Sequence, residues 1–164
     1  MIRAMRCPTN SMSPSVEIGE HFFVESVSLF WTQPKRGDIV AFDHEGLYFG
    51  LGKGISLKRI AGMPGDSLRI IEGKLYVNGL GYPLQSKTGE VFRAAGPGSL
   101  YLTKSNETFL VPSNHYFVLG DNPANSVDSR YWGSLPAERL VGRKLPGCYW
   151  REAPSGDTRR EALK

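Results

Sequence analysis

Apolar and polar residues alternate over short stretches of this chain, and glycine, proline or asparagine breaks the pattern before any stretch runs long. Such a pattern predicts strands joined by tight turns. The stretches that read as strands are His21–Val27, Asp38–Phe42, Ser56–Ile60, Ser67–Ile71, Lys74–Asn78, His115–Leu119 and Leu140–Trp150. The clearest hairpin is Ser67–Ile71 joined to Lys74–Asn78 through Glu72-Gly73, with the Asn78-Gly79 turn pair closing it. No helix can be placed by periodicity. The expected fold is therefore all-β, mostly antiparallel, in one domain over residues 1–151. Residues 81–109 are polar, glycine-rich and weakly periodic, so they read as a small inserted lobe outside the main sheet. Residues 152–164 are charged and unpatterned, and read as a disordered polar tail.

Composition narrows the picture. A chain of 164 residues is by default one domain. Its 19 glycines and 11 prolines exceed average usage, about 12% for the two together, in keeping with a turn-rich fold. The formal net charge of +4 is too mild to indicate a nucleic-acid partner. The longest apolar runs, Ile39–Phe42 and Tyr116–Leu119, are far below the roughly 20 residues a membrane-spanning helix needs. Met1–Cys7 is too short for a secretion signal. Cys7 and Cys148 lie outside any zinc-binding spacing, and His21, His44 and His115 form no ligand pair, so neither a metal nor a cofactor is expected. The two cysteines are either thiols or one long-range disulfide.

Several patterns are decoys. Gly50 to Gly54 (GLGKG) lacks the spacing of a phosphate-binding loop, and Asn106-Glu107-Thr108 is a sequon of the kind chance supplies. Asp38, Asp66 and Asp121 each follow glycine, where aspartate commonly caps a turn.

Three other segments carry chemistry together. Pro8 to Ser15 is hydroxyl-rich and bracketed by prolines. In Ser56–Asp66, Lys58 shares a strand face with Ile60. Gly120 to Gly133 is a dense run of hydrogen-bonding side chains directly after an apolar strand. Ser11, Ser13 and Ser15 alternate, so chemistry alone leaves open which of them faces a cleft.

At these segments the sequence resembles bacterial type I signal peptidase, a membrane-associated serine endopeptidase. The matching elements are Ser11-Met12-Ser13-Pro14, Arg36-Gly37-Asp38-Ile39-Val40, Lys58 through Asp66, Gly73–Gly79, and Gly120 through Arg130. The resemblance implies the family's β fold, with Ser11 as nucleophile and Lys58 as general base. A lysine can act so only when neutral, which needs its pKa lowered from about 10.4 by burial. It further implies that Ser126 holds the lysine amine, that Thr9 joins the Ser11 N–H in the oxyanion hole, and that Asp121, Arg59, Asp128 and Arg130 are supporting charges.

Met12, Val16 and Leu57, with the strand before Ser11, match the family's shallow apolar pockets for small residues at Ala-x-Ala-like sites. The implied partners are signal-peptide-bearing preproteins and a membrane or lipid surface. The implied location is the extracytoplasmic, periplasmic face of the bacterial cytoplasmic membrane, reached here without a transmembrane segment in the chain. Rival readings are a conjugative-transfer or pilin-precursor peptidase of the same family, and a catalytically inactive β-module. Asn10 stands where the family usually has glycine, and Pro123-Ala124 replace usually charged residues.

Overall fold

The computed structural model describes residues 1–49, 52–83, 98–104 and 106–150. The expected tail 152–164 lies outside the described residues, as does much of the 81–109 stretch. The strands are β1 (Ile2–Arg6), β2 (His21–Glu25), β3 (Ile39–Asp43), β4 (Ile55–Gly62), β5 (Ser67–Ile71), β6 (Lys74–Val77), β7 (Leu80–Gly81), β8 (Phe109–Leu110), β9 (His115–Leu119), β10 (Leu135–Pro136) and β11 (Leu140–Trp150). A single α-helical turn, α1, covers Ser129–Trp132.

A seven-stranded sheet has the order β1-β2-β11-β3-β4-β9-β10, and a four-stranded sheet has the order β7-β6-β5-β8. All the paired strands in both are antiparallel. The second sheet grows from the predicted hairpin. Ile71 pairs with Lys74 and Val77 with Leu80, leaving two-residue turns at Glu72-Gly73 and Asn78-Gly79. All four turn residues have positive φ, the conformation whose twist matches paired strands.

Each predicted strand has a counterpart within a few residues. The hydrophobic pattern does not mark β1, which only the resemblance implies as the strand before Ser11, because it lies at the sheet edge with most of its residues exposed and its sequence carries no burial pattern. It exists through pairing with β2, from Ile2 opposite Glu25 to Arg6 opposite His21.

Alternation along the central strands distributes the core. Val118 on β9 and Ile60 on β4 join a cluster with Val40, Phe42, Tyr116 and Leu135. Their neighbours Phe117, Leu119 and Ala61 turn to the other face and pack on Leu68, Ile70, Leu75 and Val77 of the small sheet. β4 and β9 are thus covered on both sides, which is why the Tyr116–Leu119 run is continuously apolar. A third cluster of Cys7, Met12, Val16, Phe22, Val24 and Ala41 lies beneath the segment that follows β1.

Asp66, buried at the junction of the sheets, ties them together. Its carboxylate accepts from Met63 N–H at 2.6 Å and Asn78 Nδ2 at 2.8 Å, and pairs with Arg36. Burial pushes its pKa up, but these donors outweigh burial and hold it below the ordinary carboxylate value. Asp66→Ala is expected to cost about 2–3 kcal/mol in urea unfolding at about pH 7. A depressed folded-state pKa means that this contribution exists above the unfolded value of 3.8 and is lost as pH falls through the folded one. The difference between parent and variant should therefore shrink at about pH 2.

Candidate active site

Chain geometry brings the predicted residues to one place. The segment after β1 forms a loop whose ends are tied by Cys7 N–H to Glu20 O and Gly19 N–H to Cys7 O, each 2.8 Å. Inside it, Ser13 N–H donates to Asn10 O at 3.1 Å and Val16 N–H to Met12 O at 3.0 Å. Met12 and Val16 have no exposed surface and root the loop in the core cluster, where half-buried Leu57 also packs.

Ser11 is carried on this loop, and Lys58 projects from the middle of β4, opposite Val40 of β3. Lys58 Nζ lies 2.7 Å from Ser11 Oγ across 47 residues of sequence, and both side chains are buried. Of the three alternating serines, only Ser11 meets the lysine. Ser13 donates to Glu17 Oε2 at 2.9 Å, and Ser15 accepts from Arg59 Nη2 at 3.1 Å. Burial pushes the Lys58 amine below its ordinary value of 10.5, chiefly because a buried ammonium loses its hydration. Asp128, Cys7 and Asp121 act to raise it and Arg130 to lower it further, but burial prevails.

Thr9 Oγ1 donates to Ser11 Oγ at 3.2 Å. Ser126 is buried next to the serine, yet its Oγ forms no hydrogen bond among the described residues, to Lys58 or any other group. Gly120 brings it there, because a Cβ at position 120 would lie 2.5 Å from both the Ser11 carbonyl oxygen and Ser126 Cβ.

The four charged residues form two clamps. Arg130 Nε donates to Asp128 Oδ1 at 2.8 Å and its Nη2 to Oδ2 at 2.9 Å, with both residues almost fully buried. The same guanidinium reaches Pro123 O at 2.9 Å, and Asp128 also accepts from Gly120 N–H at 3.0 Å. Arg59 binds Asp121 through Nε at 2.8 Å and Nη2 at 2.6 Å, and extends Nη1 to Gly37 O at 2.6 Å. These planar, bidentate pairs hold the 120–130 loop against the segment that carries Ser11.

Sequence reasoning missed some participants. Cys7 is a buried free thiol that donates to Thr9 O at 3.1 Å, and Cys148 is free and exposed, so the disulfide alternative is not realised. Burial pushes the Cys7 thiol above its ordinary value, although Lys58 acts to lower it. Asn122 Nδ2 donates to Asn10 O at 3.1 Å across 112 residues, a contact no spacing rule anticipates. Asn10 itself keeps an ordinary negative φ, so its position does not demand glycine.

On this antiparallel β frame a serine hydroxyl meets a buried, pKa-lowered amine, with neither group bonded to histidine among the described residues, an arrangement chemically able to support hydrolysis of the Ser/Lys type. Residues 1–149 match the family model described as signal peptidase, peptidase S26. The chain belongs to that family, a family of serine endopeptidases.

It is 36% identical over 162 residues to the Synechocystis sp. protein named "Probable signal peptidase I-2", covering 96% of this chain and 69% of the relative. It is 36% identical to signal peptidase I T of Bacillus subtilis, with 81% of this chain and 66% of the relative covered. The identity to thylakoidal processing peptidase 1 of Arabidopsis thaliana is 33%, over 92% of this chain and 43% of that protein. The chain thus spans about two thirds of the length of the bacterial relatives and less than half of the chloroplast one. A crystal structure of a signal peptidase I from Enterococcus faecalis aligns with a TM-score of 0.48 at 27% identity, covering 68% of this chain and 97% of that one. These relatives favour neither the conjugation-type alternative nor the inactive module.

Proposed function

We propose that the protein cleaves signal peptides from exported preproteins after small residues, with Ser11 as nucleophile and Lys58 as general base. The observation that carries this reading is the 2.7 Å contact between two buried groups, one of them an amine held below its ordinary pKa. In the neutral form the Lys58 amine takes the Ser11 hydroxyl proton as Oγ attacks the scissile carbonyl. The oxyanion of the tetrahedral intermediate is met by Ser11 N–H and the Thr9 hydroxyl. Lys58 then returns the proton to the departing amine, leaving an acyl-serine. A water deprotonated by the same lysine hydrolyses it. Rotation of the Ser126 side chain, whose Oγ has no partner among the described residues, gives the ammonium an acceptor during these steps.

Sheet pairing supports an extended substrate. β4 pairs with β3 over Ile55–Arg59 but meets β9 only from Arg59 onward, so the opposite edge of Ile55–Lys58 has no strand partner among the described residues. A peptide added there runs past Lys58 and beside Leu57.

Surface chemistry supports work at a membrane surface, whose extracytoplasmic face is the one the family resemblance implies. Among the described residues, no helix is long and apolar enough to cross a bilayer. Phe30 and Trp31, however, are 80% and 84% exposed on a turn after β2. Glu25 holds this turn through Ser28 N–H at 2.8 Å, and Arg143 holds it through Thr32 Oγ1 at 2.7 Å. Rigid, solvent-facing aromatics of this kind suit the polar boundary of a bilayer.

The test is mass spectrometry of the products from a preprotein with an Ala-x-Ala site, with and without phospholipid vesicles. A single cut after the second small residue is expected, faster with vesicles and absent in Ser11→Ala. A combined Phe30→Ser and Trp31→Ser variant should lose the vesicle enhancement only. Cleavage by Ser11→Ala, or cutting elsewhere, overturns the assignment.

A further inference from the structure

Ser11 is flanked by two peptide units, and one residue from the far end of the chain grips both. Ahead of it, the Asn10 carbonyl receives Asn122 Nδ2 at 3.1 Å, besides Ser13 N–H at 3.1 Å. Behind it, the Ser11 carbonyl receives the Asn122 backbone N–H at 3.1 Å. The Asn10–Ser11 bond is trans, the one cis bond among the described residues being Ser13–Pro14. In a trans peptide the carbonyl and the N–H point to opposite sides of one rigid plane. Holding Asn10 O therefore sets the direction of Ser11 N–H. That N–H donates to no group among the described residues, which leaves it available to a developing oxyanion.

Asn122 is itself held. Its Oδ1 accepts from Asn125 Nδ2 at 3.4 Å and its carbonyl from Asn125 N–H at 3.0 Å. The preceding residue, Asp121, is clamped by Arg59. Position is thus passed from a buried ion pair to the peptide plane that bears the oxyanion donor.

We infer that Asn122 is a positioning residue that aims the Ser11 N–H at the oxyanion through its side-chain bond to the Asn10 carbonyl. This rests on the reading of Ser11 as nucleophile. Asn122 touches neither Ser11 Oγ nor Lys58, so its effect is confined to the transition state and leaves proton transfer alone.

The test compares Asn122→Ala and Asn122→Asp with the parent on a preprotein-derived peptide. The aspartate keeps the side chain's size and its acceptor for Asn125 but has no donor for Asn10 O. Both variants are expected to lower kcat about 10- to 100-fold with KM within about twofold, short of the loss of an oxyanion donor outright. The pH profile of Asn122→Ala should keep its midpoint, because Lys58 is untouched, whereas the carboxylate of Asn122→Asp acts, as Asp121 does, to raise the Lys58 amine, so its kcat is compared on the plateau above its own midpoint. Affinity for a peptide aldehyde, whose tetrahedral adduct carries the same oxyanion, should fall by the factor lost in kcat, while affinity for the product peptide stays constant.

A kcat within twofold of the parent in either folded variant overturns the proposal. So does a loss confined to KM, or a shifted pH midpoint in Asn122→Ala. Should Asn122→Ala fail to fold, Asn122→Asp carries the comparison alone. Ser11→Ala separates the two readings: activity retained there defeats the nucleophile assignment, whereas activity lost there but kept in both Asn122 variants defeats this inference only.

Discussion

Lys58→Met is expected to give a folded protein that cleaves on the order of 10⁴-fold more slowly or worse, the scale seen when a catalytic base is removed from a serine protease. The same variant should be more stable than the parent at neutral pH. Both outcomes have one cause. The amine is buried against Ser11 and beside the core cluster, so its charged form is disfavoured in the folded state while the unfolded chain solvates it freely. A lysine pKa lowered on folding means that the unfolded state binds more protons, and stability then rises with pH.

The cost of burying Lys58 is full below its folded-state pKa. It declines between that value and the unfolded value of 10.5, and has vanished above. Methionine has similar volume and no charge, so its advantage in denaturant unfolding should be largest at low and neutral pH and fade towards 10.5. Activity of the parent moves the same way, rising with pH as the amine loses its proton. A variant whose stability advantage is independent of pH, or that retains cleavage, would show that Lys58 is neither strained by burial nor the base.

The sequence and the structure agree where a residue's surroundings leave a mark on its own neighbours. β5 and β6 were legible because their apolar residues alternate and Glu72-Gly73 admits positive φ. β7, β8 and β10 are two residues each, too short for any periodicity. α1 is a single turn, capped where Asp128 accepts from Arg130 N–H at 3.2 Å, and four residues cannot show a helical repeat.

The proposed site residues follow the same division. Ser11, Lys58 and the charge clamps were visible through motifs that resemble a known family. Met12 and Val16 were expected at substrate pockets and lie in the core with no exposed surface, a distinction that an apolar residue type does not encode. Asn122 and Gly120 act through backbone carbonyls more than a hundred positions away, so nothing near them in sequence announces the role.

Gly120→Ala is the second large effect expected, from the addition of one methyl group. The Cβ would lie 2.5 Å from the Ser11 carbonyl oxygen and 2.5 Å from Ser126 Cβ, closer than real Cβ contacts come. A flexible side chain could swing away, but a backbone carbonyl on the nucleophile residue cannot move without carrying Ser11 with it. That carbonyl is the acceptor of Asn122 N–H, and Gly120 N–H is held by the buried Asp128. Neither side of the contact is free to yield.

Displacing Ser11 by even about 1 Å from the lysine costs about 100-fold in rate, and crowding in a packed site costs about 1–3 kcal/mol in stability. Gly120→Ala should therefore lose about 10²-fold or more in kcat and lower Tm together. Removing the Ser126 hydroxyl in addition separates the causes. If Ser126 Oγ were the sole obstacle, Gly120→Ala with Ser126→Ala would recover cleavage. Because the Ser126 Cβ and the Ser11 carbonyl remain in the way, the double variant should stay as slow as the single one. Recovery to the rate of Ser126→Ala alone would show that the glycine serves only the hydroxyl and not the backbone of the nucleophile.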